Sequence, residues 1–187
     1  PDAVRLADGR IRLFFFKGWF VSKPESAADV SPFNPIYSAI SSDGRNFTLE
    51  GKVFEFPDIA DPSVIQLTDG NWLMACANGR TGMILARSID GKTFIYEAHT
   101  FARGIPELVI MEDGSIKLLY NVRGGFGAYF SNDSGRTWQK ESDLFFHHDS
   151  AIADPSVVSD DQGMRLYFKS FKSALKQPAF PTAAAQE

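Results

Sequence analysis

A chain of 187 residues is long enough to bury a substantial core, and with 44% hydrophobic and 22% charged residues it has the composition of a folded globular protein, not of a disordered one. The net charge of -4 is interspersed in sign, and no block of Lys and Arg is present to track phosphates, which argues against a nucleic-acid partner. No apolar run approaches the roughly 20 residues of a membrane helix, and the single cysteine, Cys76, excludes an internal disulfide.

Taken in chain order, the sequence repeats itself. Four segments carry a proline followed eight residues later by a glycine: Pro1 to Gly9, Pro62 to Gly70, Pro106 to Gly114 and Pro155 to Gly163. An apolar run lies between each pair, and another follows each glycine. The prolines are 61, 44 and 49 residues apart, close to the length of a propeller blade. A third run follows in the first three units, then a turn: Ser41 to Phe47, Ser88 to Phe94 and Ser131 to Trp138. In each turn an Asp can accept backbone N–H groups, a Gly supplies positive φ and an aromatic packs beneath. A fourth run completes the unit. For the second unit the spacing predicts strands over about 62–67, 72–78, 82–88 and 93–99.

Each unit thus reads as four antiparallel strands. Such a sheet buries both faces only when blades pack around an axis, so the expected fold is an all-β propeller. The repeats begin near residues 1, 61, 105 and 154, and the blades extend over 1–172, followed by a polar tail at 173–187. About three and a half blades are present, the last with two strands only, and a missing segment or a second chain is expected to close the ring.

Antiparallel order fixes sidedness. The start of the first, innermost strand shares an end of the blade with the end of the second strand, while the Asp-bearing turns lie at the other end. Every unit places a carboxylate within one residue of its proline: Asp2, Asp61, Glu107 and Asp154. Acids gathered around one axial mouth suit acid–base chemistry, because crowding separates their pKa values. Asp-Pro is also a common turn starter, so the same acids are equally read as loop caps. Lys17, Trp19, Arg80, Arg123, His148 and Lys169 fall at the same end and are candidate ligand-binding groups, since aromatics and bidentate arginines suit sugar rings and carboxylates. The His147–His148 pair has no third ligand at a recognisable spacing, so no metal or other cofactor is expected. Cys76 sits in an apolar run and reads as packed.

Asp61-Pro62-Ser63-Val64, with Asp69-Gly70 and the apolar strand after it, resembles the five-bladed propellers of glycoside hydrolase family 43 and its arabinanase, levansucrase and invertase relatives. The turn Ser131 to Trp138 resembles the Asp-box of sialidases, and the two earlier turns are one residue shorter. The resemblance implies a carbohydrate substrate or ligand, no nucleic acid and no membrane, and leans toward a secreted or periplasmic location. It also implies three acids at the inner-strand starts: an Asp that activates water, an Asp that tunes and orients, and a Glu that protonates the leaving oxygen. Asp61 and Asp154 match the Asp-Pro form. The Glu stands two residues before its proline in the family, where this chain has Gly104, so Glu107 is the substitute donor. The leading expectation is a glycosidase using Asp61, Glu107 and Asp154, with Asp2 beside them. A non-catalytic propeller that binds glycan or protein is the alternative, and a sialidase-like enzyme, which needs three arginines and a Tyr–Glu pair, is a third.

Overall fold

The structure is a computed structural model and describes residues 1–16, 33–79, 81–99 and 101–171. The described residues form antiparallel sheets in chain order and contain no helix. The first sheet runs β1 (Asp2–Arg5), β2 (Ile11–Phe16), β3 (Phe33–Ser41), β4 (Thr48–Pro57). The second runs β5 (Ile59–Gln66), β6 (Trp72–Asn78), β7 (Ile84–Ser88), β8 (Ile95–Glu97). The third runs β9 (Pro106–Ile110), β10 (Ile116–Val122), β11 (Gly125–Ser131), β12 (Gln139–Lys140), and a short β13 (Phe146–His147) also pairs with β11. The fourth holds β14 (Ala151–Asp160) and β15 (Gly163–Phe171). The first strands of successive sheets meet one another, β1 with β5, β5 with β9 and β9 with β14, as they must when blades converge on an axis.

The burial pattern explains why the runs are continuously apolar. In β6 every residue is buried, and its alternate side chains serve two different cores. Trp72, Met74 and Cys76 pack with Phe14, Ile36 and Ile59 toward the first sheet. Leu73 and Ala75 pack with Leu108, Leu118 and Tyr120 toward the third. A strand covered on both faces needs no polar alternation. Burial pushes the Cys76 thiol well above its ordinary value, as suits a packed and unreactive residue.

The turns at the far end are built alike. Ser41, Ser88 and Ser131 each donate to the Asp two residues on, at 2.8–2.9 Å. Asp133 then accepts the Arg136 and Thr137 N–H groups at 3.0 and 2.8 Å and the Thr137 hydroxyl at 2.6 Å. Asp43 accepts from Arg45 and Asn46, and Asp90 from Lys92 and Thr93. These donors hold the Asp43, Asp90 and Asp133 carboxyls below the usual range. Arginines latch the turns to the preceding blade. Arg12 binds Glu50 through two nitrogens, at 2.7 and 3.0 Å, lies over the Trp72 ring and reaches the Asp90 carbonyl. Arg87 pairs with Glu97 and donates to the Ser134 and Gly135 carbonyls.

Two details differ from the sequence reading. The strand predicted over about 62–67 begins earlier, at Ile59, so Asp61 and Pro62 lie inside β5 and not at its start. The β5–β6 register shifts between Ala60 and Ser63, and the β14–β15 register between Ala153 and Ser156. Each shift is a bulge that takes the proline, which has no N–H to give, out of the ladder. The third sheet also carries β13, a fifth strand. Its pairing places the Phe146 carbonyl only 1.8 Å from where a Cβ on Gly125 would stand, and Gly125 has φ +150°, so only glycine fits there.

Candidate active site at the axial mouth

The registers set the Asp-bearing turns and the inner-strand prolines at opposite ends of the blades. In β6, Trp72 pairs with Ser88, where the turn starts, while the β5 residue Ile59 pairs with Asn78 at the other end. In the third sheet Ile116 pairs with Ser131, and Pro106 pairs with Tyr120. The four prolines therefore gather around one mouth.

A cavity of about 410 Å³ opens there, lined by Asp2, Asp61, Glu107, Asp154, Lys169 and the surrounding Pro1, Pro62, Pro106 and Pro155, with Ile105, Ser156, Tyr167 and Phe168. Asp61 and Asp154 are structural twins. Each directly precedes a proline, each sits in a β-bulge, and each adopts left-handed backbone, with φ +48° and +52°. Non-glycine residues rarely hold that conformation, and where they do the surrounding structure has to enforce it. Burial pushes the Asp61 carboxyl up, and the charge of Asp154 adds to the shift. Asp154 is ion-paired to Lys169, whose ammonium is held above its ordinary value by that contact.

Glu107 is more deeply set, at 8% exposure. Its Oε1 accepts the Val157 N–H at 2.6 Å and its Oε2 accepts the Ser63 hydroxyl at 3.1 Å. Burial and then the nearby Asp2 charge push its carboxyl up to about 8, against the lowering effect of both hydrogen bonds. Asp2 is raised by burial in turn, although it accepts the Val64 N–H at 2.6 Å. The mouth therefore combines carboxyls displaced toward the neutral form with one lysine-paired carboxylate.

The other candidates divide. Lys169 lines the cavity. Arg123 is exposed on the turn between β10 and β11 and is absent from the lining. His148 stands behind the lining: its ring lies 5.3 Å from that of Phe168, and its backbone N–H bonds the Gly124 carbonyl. Lys17, Trp19 and Arg80 lie outside the described residues, as does the tail at 173–187. Gly104 has no room for a side chain, because a Cβ there would stand 2.9 Å from the Tyr120 Cβ. Among the described residues no group of three or more His, Cys, Asp or Glu could hold a metal ion. Ser63, which sequence reasoning passed over, joins Glu107 to the second blade. Its signal was present in the recurrence of an acceptor residue directly after each proline: Asp2, Ser63, Glu107 and Ser156.

No protein-family model and no curated protein matches the sequence. Solved structures do match in shape. A protein of unknown function from Dyadobacter fermentans superposes with a TM-score of 0.63 at 20% identity, over 90% of this chain and 61% of that one. An exo-β-1,3-galactanase from Phanerochaete chrysosporium, solved with galactose, gives 0.69 at 11% identity, over 91% and 43%. A GH32 β-fructofuranosidase from Bombyx mori gives 0.62 at 18% identity, over 88% and 41%. The chain spans less than two thirds of each of these. At such identities the likeness establishes the fold, and the fold is a β-propeller of the kind that glycosidases use.

Proposed function

We propose that this propeller is a glycoside hydrolase that cleaves a glycosidic bond at the axial mouth, with Asp61 and Asp154 as the working carboxyl pair. The observation that carries the reading is their pairing in one cavity at matched left-handed positions, Asp61 desolvated and Asp154 ion-paired to Lys169. Two carboxyls in different protonation states are what glycoside cleavage uses. Asp61, raised by burial and by its neighbour's charge, gives its proton to the leaving oxygen. Asp154, held by Lys169, takes a proton from the attacking water. Burial pushes the Glu107 carboxyl up to about 8, which suits a donor, but both of its oxygens accept hydrogen bonds, so the donor role passes to Asp61 in this account.

Direct displacement by water inverts the anomeric centre and requires carboxyls about 6.5–9.5 Å apart, against about 5–5.5 Å for retention. The test is NMR of the first-formed product from a panel of aryl and oligosaccharide substrates, including β-1,3-galactosides and β-fructofuranosides. Release of the inverted anomer, lost in Asp154→Asn, supports the reading. Absence of turnover on the whole panel overturns it.

A five-bladed ring belongs to the same reading. Val158, Tyr167 and Phe171 share one face of the fourth sheet and are 39–55% exposed, and a further blade, from more chain or from a second chain, would cover them. A binding propeller is the second reading, favoured by one observation: Tyr120 closes the slot at Gly104 where the family resemblance calls for the donor Glu. Isothermal titration with the same glycans, showing binding without turnover, would select it. The sialidase-like reading lacks support, because the cavity lining includes no arginine among the described residues.

A further inference from the structure

In the first three blades the residue after the inner-strand proline reaches across to the next blade. Asp2 accepts the Val64 N–H at 2.6 Å, Ser63 accepts the Leu108 N–H at 2.9 Å, and Glu107 accepts the Val157 N–H at 2.6 Å. Each donor stands two residues after the proline of the following blade. The physical need is plain. An inner strand has a neighbour in its own sheet on one side only, so the backbone N–H groups on its axial edge have no strand partner, and buried N–H groups left unpaired are costly.

One part of this ladder connects the two aspartates. Ser63 follows Asp61 by two residues and donates its hydroxyl to Glu107 Oε2 at 3.1 Å. Glu107 Oε1 takes the N–H of Val157, three residues after Asp154. Two hydrogen bonds through one carboxyl thus tie the bulge of the second blade to the bulge of the fourth, with the third blade supplying the link. Ser63 and Glu107 are 2% and 8% exposed, so water does not compete freely for either contact.

We propose that Ser63 and Glu107 are positioning residues: they form a staple that crosses three blades and sets the separation of Asp61 and Asp154. The geometry of the staple stands by itself, and its effect on rate rests on the glycosidase reading above. Neither residue transfers a proton to substrate in this account. Their work is to hold two bulges that would otherwise relax independently, and misplacing reacting groups by about 1 Å costs on the order of 10²-fold in rate.

The test pairs amide hydrogen exchange with kinetics in Glu107→Ala, Glu107→Gln and Ser63→Ala. Glu107→Ala is expected to speed exchange at Val157 at least about ten-fold, and Ser63→Ala to do the same at Leu108, with the turns at Asp90 and Asp133 unaffected. In turnover, Glu107→Ala is expected to lower kcat by about 10²-fold at unchanged KM. Glu107→Gln, which keeps an acceptor oxygen for Val157, recovers at least about ten-fold of that loss. Unchanged exchange at Val157 in Glu107→Ala would overturn the staple. A loss in Glu107→Gln as large as in Glu107→Ala, repaired by an aryl leaving group that needs no protonation, would also overturn it and make Glu107 the donor. Exchange is read on the protein whether or not it turns over a glycoside. Absent turnover would therefore remove the functional reading alone, and the staple would still stand or fall on Val157.

Discussion

The two ends of the propeller use carboxylates in opposite ways. At the turn end, Asp43, Asp90 and Asp133 are surrounded by backbone N–H groups and hydroxyls, and their carboxyls are held below the usual range. At the mouth, Asp2, Asp61 and Glu107 are desolvated and crowded, and theirs are pushed up. The carboxyl falls below its ordinary value where it is exposed among donors, and rises above it where burial outweighs the donors it accepts from. A carboxylate satisfied by its own turn reports on folding. One held in a raised state beside another acid, in an open cavity, is where the proposed chemistry is tested.

The contrast is broken most forcefully by removing a mouth acid. Asp154→Asn is expected to lower turnover by about 10²–10⁴-fold with the fold intact, since general acid–base help has that size; near-wild-type initial rates would refute it. Next in size is the latch behind the turns. Arg12 and Glu50 have side chains only 6% and 12% exposed. Burial by itself would raise the Glu50 carboxyl, and the Arg12 and Ser38 hydrogen bonds outweigh it and hold the carboxyl below the ordinary value. Arg12→Ala leaves Glu50 with only Lys92 and the Ser38 hydroxyl and is expected to cost about 2 kcal/mol, read by urea unfolding, without loss of kcat in the folded protein.

Stability against pH separates the ends by sign. Glu107, raised to about 8 from an ordinary 4.5, binds more protons folded than unfolded across that interval. Its contribution is complete below the unfolded value and is lost as pH rises through about 8, with a slope of at most about 1.4 kcal/mol per pH unit. Glu107→Gln should flatten this slope in denaturant titrations at successive pH values. The turn aspartates work the other way: their contribution is present above the ordinary carboxylate value and is lost as pH falls through the lowered folded value. The smallest effect is expected from Asp133→Ala, a fall in Tm of roughly 2–6 °C by calorimetry with unchanged turnover.

How far the sequence was legible follows from the range of each interaction. The turns were readable because Ser131, Asp133, Gly135 and Thr137 interact within seven consecutive positions. The blades were readable because strands with both faces buried leave uninterrupted apolar runs, as in Trp72 to Asn78. That Asp61 and Asp154 share a cavity follows from the repeat once inner strands converge. The bulges that hold them did not show, since a register shift leaves no mark beyond the proline it accommodates. The short pairing of Phe146 and His147 with β11 was hidden for a similar reason, because two residues carry no periodicity. Arg123 is exposed on the turn after β10 and does not line the cavity, a placement that strand order alone does not resolve. The Ser63–Glu107 staple links residues 44 apart and depends on the spacing of blades around the axis, which no local pattern encodes.

The most direct test of the division between the two ends compares Asp61→Asn with Asp90→Asn in one experiment, measuring initial rate on an aryl glycoside and Tm by calorimetry. Asp61→Asn is expected to lose at least about 10²-fold in rate with Tm unchanged or slightly raised, because a desolvated carboxyl is replaced by a neutral isostere. Asp90→Asn is expected to keep its rate and lose a few degrees of Tm. Equal rates in the two variants, or a larger fall in Tm for Asp61→Asn than for Asp90→Asn, would contradict that division.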